Sequence, residues 1–138
     1  VRNHNWHIHL AHFIEAERER PFAWGQHDCC LFCADAAVIV CGVDPAEGYR
    51  GNYHDEASAY AILQELGART IAGVWSNCFL TVPVKAMQRG DIALVQQKGF
   101  DHPASVLNFG GRLWGIAPGD QGLRTLPLSK ALQAWRVE

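Results

Sequence analysis

The sequence predicts an α+β fold, with N-terminal helices packed on a small antiparallel sheet in a single domain over residues 1–138. Three observations predict it. Apolar residues recur at helical spacing as far as about residue 66, whereas after Asp91 they fall into short strand-like runs. Gly110-Gly111 between two of those runs marks a tight hairpin turn. A chain of 138 residues with 49% apolar content suits one core that buries about two thirds of the unfolded surface.

Each element has a local reason. Trp6, Leu10, Phe13 and Ile14 share a helical face, and Pro21 stops the chain, so the spacing predicts a helix over about 5–19. Asp28 is an N-cap for a second helix over about 29–41, in which Cys29, Phe32, Cys33, Ala36, Ala37 and Val40 share a wide face and Gly42 follows the last turn. GVDPAEGYRGNYHD is loop by its Gly, Pro and Asp content. The segment after it opens with acids, closes with Gly and places Ala59, Ile62, Leu63 and Leu66 on one side, predicting a helix over about 55–66.

Residues 68–88 carry no clean period. Beyond them IALVQQ, ASVLNF, RLWGIA and LRTL read as strands, and LSKALQAW reads as a short final helix capped by Ser129. No internal repeat or low-complexity tract interrupts the chain.

Composition excludes several classes of function. A formal charge of −2, with Lys and Arg scattered, gives no footprint for nucleic acid. No apolar run approaches the roughly 20 residues of a spanning helix, and VRNHNWHIHL lacks the order of a signal peptide, so neither a membrane segment nor an export signal is expected. Five cysteines is an odd number, and four of them share one predicted helix, which favours reduced thiols and assembly in a cytoplasm.

Three of those cysteines fall within WGQHDCCLFC. Cys29 stands in the first helical turn, where unpaired N–H groups and the helix dipole favour a thiolate, while the charge of Asp28 opposes one. Cys30, Cys33 and Cys41 read as small apolar packing. A metal site is the rival: Cys29 and Cys33, or Cys30 and Cys33, with His27, His54 or Cys78, although paired CxxC knuckles are missing. His4, His7, His9 and His12 read as a solvated helix face. No cofactor motif is present, so no cofactor or metal is expected.

Phe22, Trp24, Gly25, Asp28, Cys29 and Phe32, followed by the RGDIAL strand and the GGR turn, resemble the NlpC-type cell-wall cysteine peptidases of the papain-like superfamily. The chain from about 10 to 137 is similar to a phage and prophage tail-associated branch, through PFxWGxxDC, Gly42, Asp44, Ala46, the Arg50-Gly51-x-Tyr53 loop, Pro127-Leu128 and Ala134-Trp135-Arg136-Val137. The resemblance implies a papain-like NlpC-type fold and a cysteine peptidase or amidase with Cys29 as nucleophile and His102 as base. It implies peptidoglycan stem peptide as substrate, phage tail hub or tip proteins as partners, and a place in the virion tail after assembly in the host cytoplasm.

The match has departures. A gapless alignment on the GGR turn puts Pro103 at the base position, so His102 fits only with a one-residue shift. Gly115 stands where a polar residue would orient the base, and Phe22 replaces a tyrosine that often lines the oxyanion region. His27, Gln26 or Asp28 would then support the site. The tryptophans Trp24, Trp75, Trp114 and Trp135 are candidates for cleft walls, with Trp24 and Trp135 reading as core. The alternative is a tail-hub structural or binding module that keeps the fold with weak or no catalysis.

Overall fold

A computed structural model describes all residues, 1–138. Four helices precede or flank one six-stranded sheet: α1 (Trp6–Glu17), α2 (Cys29–Cys41), α3 (Glu56–Glu65), α4 (Ile71–Ser76), β1 (Leu80–Val82), β2 (Ile92–Val95), β3 (Ala104–Phe109), β4 (Arg112–Gly115), β5 (Arg124–Leu126) and β6 (Gln133–Arg136). The strand order is β1-β6-β2-β3-β4-β5 and every pairing is antiparallel. The α+β prediction holds at this level.

The first three helices lie within two residues of their predicted bounds. α1 ends early because the Arg18 carbonyl accepts from the Leu123 N–H at 2.8 Å, which draws the chain towards a loop before Pro21. α2 begins at Cys29 because Oδ1 of Asp28 accepts from the Leu31 N–H at 2.9 Å. It stops at Gly42, whose φ of +80° suits the left-handed cap and whose N–H returns to the Val38 carbonyl. Asp55 and Ser58 form a reciprocal capping box at the start of α3.

The aperiodic stretch 68–88 contains α4, capped by Thr70, then β1 and a 3-10 turn over Val84–Ala86. Elements of six and three residues are too short to display a period. The hairpin at Gly110-Gly111 has φ of +64° and +75°, the left-handed pair that a two-residue turn between twisted strands requires.

The C-terminal helix is not formed. Leu128–Lys130 is a 3-10 turn without a side-chain cap from Ser129, and Gln133–Arg136 is β6, lying between β1 and β2. Every residue of β2 is buried, so its backbone groups need partners that water cannot supply. β6 supplies them, and its side chains alternate: Ala134 enters one face of the sheet and Trp135 the other.

The main core lies between the sheet and the helices. Leu10, Phe32, Trp75, Leu107 and Trp135 meet there, and Phe13 stacks on Phe32 at 5.5 Å. Trp135 donates to Ser76 Oγ at 3.0 Å, tying β6 to α4. The opposite face of the sheet is made of smaller residues, among them Ala93, Ala104, Val106, Leu113 and Ala134.

Two of the motif segments noted in the sequence have structural roles. Asp91 of Arg-Gly-Asp is fully buried: Oδ1 accepts from Arg2 Nη2 (2.7 Å) and the Val137 N–H (3.0 Å), and Oδ2 from Arg136 Nε (3.0 Å) and the Gln88 N–H (2.8 Å). One carboxylate thus joins both chain ends to the start of β2. Arg50 pairs with Asp44 at 2.8 Å and with Asp35 of α2 at 2.7 Å, fastening the 42–54 loop to that helix.

Candidate active site

The WGQHD turn sets the position of Cys29. Gly25 has φ +75°, and a Cβ there would lie 2.2 Å from the Tyr53 carbonyl oxygen, so only glycine lets the two loops touch. Its N–H donates to Asp28 Oδ2 at 2.9 Å, and the Tyr53 hydroxyl donates to the same oxygen at 2.5 Å. Both oxygens of the buried Asp28 are therefore occupied. With three hydrogen bonds made inside the protein, Asp28 positions the helix start.

Cys29 follows, partly exposed at the floor of a cleft that also includes Trp24, Tyr53, Tyr60, Gln97 and His102 in its walls. Ser105 of β3 backs it, with Oγ donating to the Cys29 carbonyl at 3.0 Å. Burial pushes the Cys29 thiol up, hydrogen bonding from Ser105 pulls it down, and the charge of Asp28 pushes it up again. The net direction is upward.

His102 is exposed and reaches the same cleft. Its ring stacks on Tyr60 of α3 at 3.9 Å, and Gln97 Nε2 donates to its backbone carbonyl at 3.1 Å. Ser105 and Leu107 face the helices, so by alternation Pro103 shares their face and His102 does not. Residues 101–102 form a bend before β3, and from there His102 meets Tyr60.

The resemblance assigned an orienting position to Gly115, which is not in the cleft wall. Gly115 belongs to the other face of β4, where a Cβ would meet Val106 at 2.8 Å. The next residue, Ile116, is the one in the cleft wall. It is apolar, so no residue at this end of β4 holds an imidazole by a hydrogen bond.

The remaining candidates separate. Trp24 is half-buried against Phe22, edge-on at 5.0 Å, and lines the cleft instead of entering the core, because Phe22 and Trp24 belong to a loop above the helix start. Trp135 and Trp75 are fully buried and Trp114 bonds to the Phe109 carbonyl, so none of the three is a cleft wall. Gln26 is exposed and outside the cleft. His27 is buried away from the cleft, with Nδ1 3.6 Å from Glu17 and its ring against Phe32; burial lowers its pKa and keeps it neutral. Neither Gln26 nor His27 completes the site.

No three His, Cys, Asp or Glu side chains converge in a group that could hold a metal ion. His54 and Cys78 are exposed, and Cys33 is closed into the core. The alternative of thiolates completed by His27, His54 or Cys78 therefore lacks a ligand set. His4, His7, His9 and His12 are all exposed.

Residues 1–137 match the family model described as Domain of unknown function (DUF6950). The chain belongs to the DUF6950 family. No curated protein and no solved structure matches it.

In this DUF6950 domain two tyrosines of the site escape the sequence reading. Tyr53 and Tyr60 come from the loop and helix after α2, and neither is near Cys29 in sequence. Tyr53 carried a signal only as part of Arg50-Gly51-x-Tyr53. Burial raises both phenols, Tyr60 to about 12, so both are neutral hydrogen-bond donors at physiological pH. Ser105 is the third omission: its small polar side chain in an apolar strand is the available clue. Together the cleft presents a thiol, an imidazole, the Tyr60 phenol and the Cys29 N–H, which has no protein acceptor, while the Tyr53 hydroxyl is committed to Asp28.

Proposed function

We propose that this domain is an NlpC-type, papain-like cysteine hydrolase of a phage tail tip, acting on peptidoglycan stem peptides during infection. The observation that carries the reading is the convergence of Cys29, at the start of a buried helix, and His102, ahead of a central strand, on one cleft. Its place would be the virion tail, among hub or tip proteins, after assembly in the host cytoplasm.

In the reaction, His102 takes the proton from the Cys29 thiol and the sulfur attacks an amide carbonyl. The developing oxyanion faces the free N–H of Cys29 at the helix start. The C–N bond breaks, and the amine leaves with the proton held by His102. Water then adds to the thioester and the C–S bond breaks, releasing the acid and returning a proton to sulfur.

Incubating the protein and Cys29→Ala with purified peptidoglycan or a stem peptide tests this. The expected result is cleavage by the parent and none by the variant. No turnover, or equal turnover in both, overturns it. His102→Ala should lose activity as well.

Two observations favour a second reading, a tail-hub module with weak or no catalysis. The Cys29 thiol is raised, and Ile116 stands where an orienting group would. Loss of such a group costs about 10⁴-fold in a well-studied triad. That reading predicts a stoichiometric complex with tail proteins that survives Cys29→Ala.

A further inference from the structure

His102 is carried by a bend and not by a strand, and it is exposed. Gln97 grips its backbone carbonyl, not its ring. Ile116, in the wall at the end of β4, offers the ring no hydrogen bond. An imidazole held only through its backbone divides its time among rotamers, and a fraction of them can meet a thiol.

Tyr60 restricts that freedom. Its ring lies on the imidazole at 3.9 Å between centroids and 23° between planes. Tyr60 is itself well anchored: α3 opens with the Asp55–Ser58 capping box, Ile62 and Leu63 are buried, and the Tyr60 ring packs half-buried against the same core. A side chain fixed on a helix therefore braces one carried by a loop.

A stack covers the face of the imidazole and leaves its edge free, so the ring plane is set while both nitrogens stay open to the proton of a thiol. Such aromatic pairs favour the paired geometry by about two- to tenfold beyond area burial. A cation over a phenol face is attracted as well, so the contact still holds once the imidazole has taken a proton. Unlike a hydrogen bond to one ring nitrogen, a stack does not choose the tautomer.

We propose that Tyr60 is the positioning residue of His102, setting the plane of the imidazole by stacking where a hydrogen-bonding group is missing. The proposal rests on the reading of Cys29 and His102 as nucleophile and base. Tyr60 acts with its ring and through His102, and its hydroxyl is dispensable for this role.

The test uses the full chain with Tyr60→Leu, Tyr60→Phe, His102→Ala and the Tyr60→Leu/His102→Ala double variant. In NMR spectra, the His102 ring protons, assigned by their loss in His102→Ala, should cross-relax with the Tyr60 ring and be shifted upfield by it. Tyr60→Phe should keep the shift and Tyr60→Leu should remove it. Missing cross-relaxation in the parent, which needs no substitution to measure, overturns the proposal, as does a shift that survives Tyr60→Leu.

The second readout is the rate of Cys29 alkylation by iodoacetamide at neutral pH, followed by peptide mapping. His102→Ala should slow it, Tyr60→Leu should slow it by about two- to tenfold, and Tyr60→Phe should stay near the parent. The double variant should be no slower than His102→Ala alone. A Tyr60→Leu effect that persists without His102 makes Tyr60 a wall residue only and overturns the proposal, as does a rate indifferent to His102→Ala. Purified peptidoglycan separates this proposal from the hydrolase reading. The expected spectra and alkylation rates without cleavage support the positioning role and defeat the hydrolase. Cleavage that Tyr60→Leu leaves unchanged supports the hydrolase and defeats the positioning role.

Discussion

The Tyr53 hydroxyl donates to Asp28 Oδ2 at 2.5 Å, joining a loop before α3 to the residue that caps α2 and precedes Cys29. Tyr53→Phe should remove that bond to a buried carboxylate and lower stability by about 1.5–3 kcal/mol. Gly25→Ala should be worse, because its Cβ collides with the Tyr53 backbone. Urea unfolding of the two variants checks the order; a silent Gly25→Ala would contradict the loop contact.

Asp91 presents a different test, since its buried carboxylate serves Arg2 and Arg136 together. Asp91→Ala should cost about 3–5 kcal/mol by leaving two partly buried guanidiniums without their anion. Arg136→Met should cost less, because Arg2 and two backbone N–H groups still reach the carboxylate. Equal effects in denaturant titrations would show that the three groups do not act as one hub.

Alkaline pH should destabilise the domain through its buried thiols. Burial raises Cys33 well above its ordinary 9.0, so the folded chain holds this proton more tightly than the unfolded one. Its contribution is complete below about pH 9 and drains as pH rises towards the folded value, at up to about 1.4 kcal/mol per pH unit. Stability profiles from pH 8 upward should be flatter for Cys33→Ala than for the parent. Parallel profiles would refute the assignment.

Ser105 should tune the reactivity of Cys29. Its hydrogen bonding lowers the Cys29 thiol against burial, so Ser105→Ala should move the pH midpoint of Cys29 alkylation upward, while Ser105→Thr keeps it near the parent value. Peptide mapping separates Cys29 from the exposed Cys78. An unmoved midpoint in Ser105→Ala would leave Ser105 with only the task of bracing the helix.

Much of this molecule is legible locally. Asp28, Gly42 and the apolar stripe place α2 because caps and periodicity act within a few residues, and Gly110-Gly111 places the β3–β4 turn for the same reason. These features single out Cys29 from its neighbours, and they point to an α+β fold. LSKALQAW shows the limit: its local spacing suits a helix, yet the open edge of β2 recruits it as β6, because a buried strand must complete its hydrogen bonds.

The site was decided over longer distances. By itself the sequence determined where the candidate nucleophile lies, through a cap and a helix start that need only adjacent residues. Only the tertiary structure decided what surrounds it: Ser105 behind the sulfur, Tyr53 on Asp28, His102 stacked on Tyr60, and Ile116 in the wall instead of Gly115. Which face a strand residue occupies depends on pairing with its neighbours, and which thiol or phenol loses water depends on the elements packed over it.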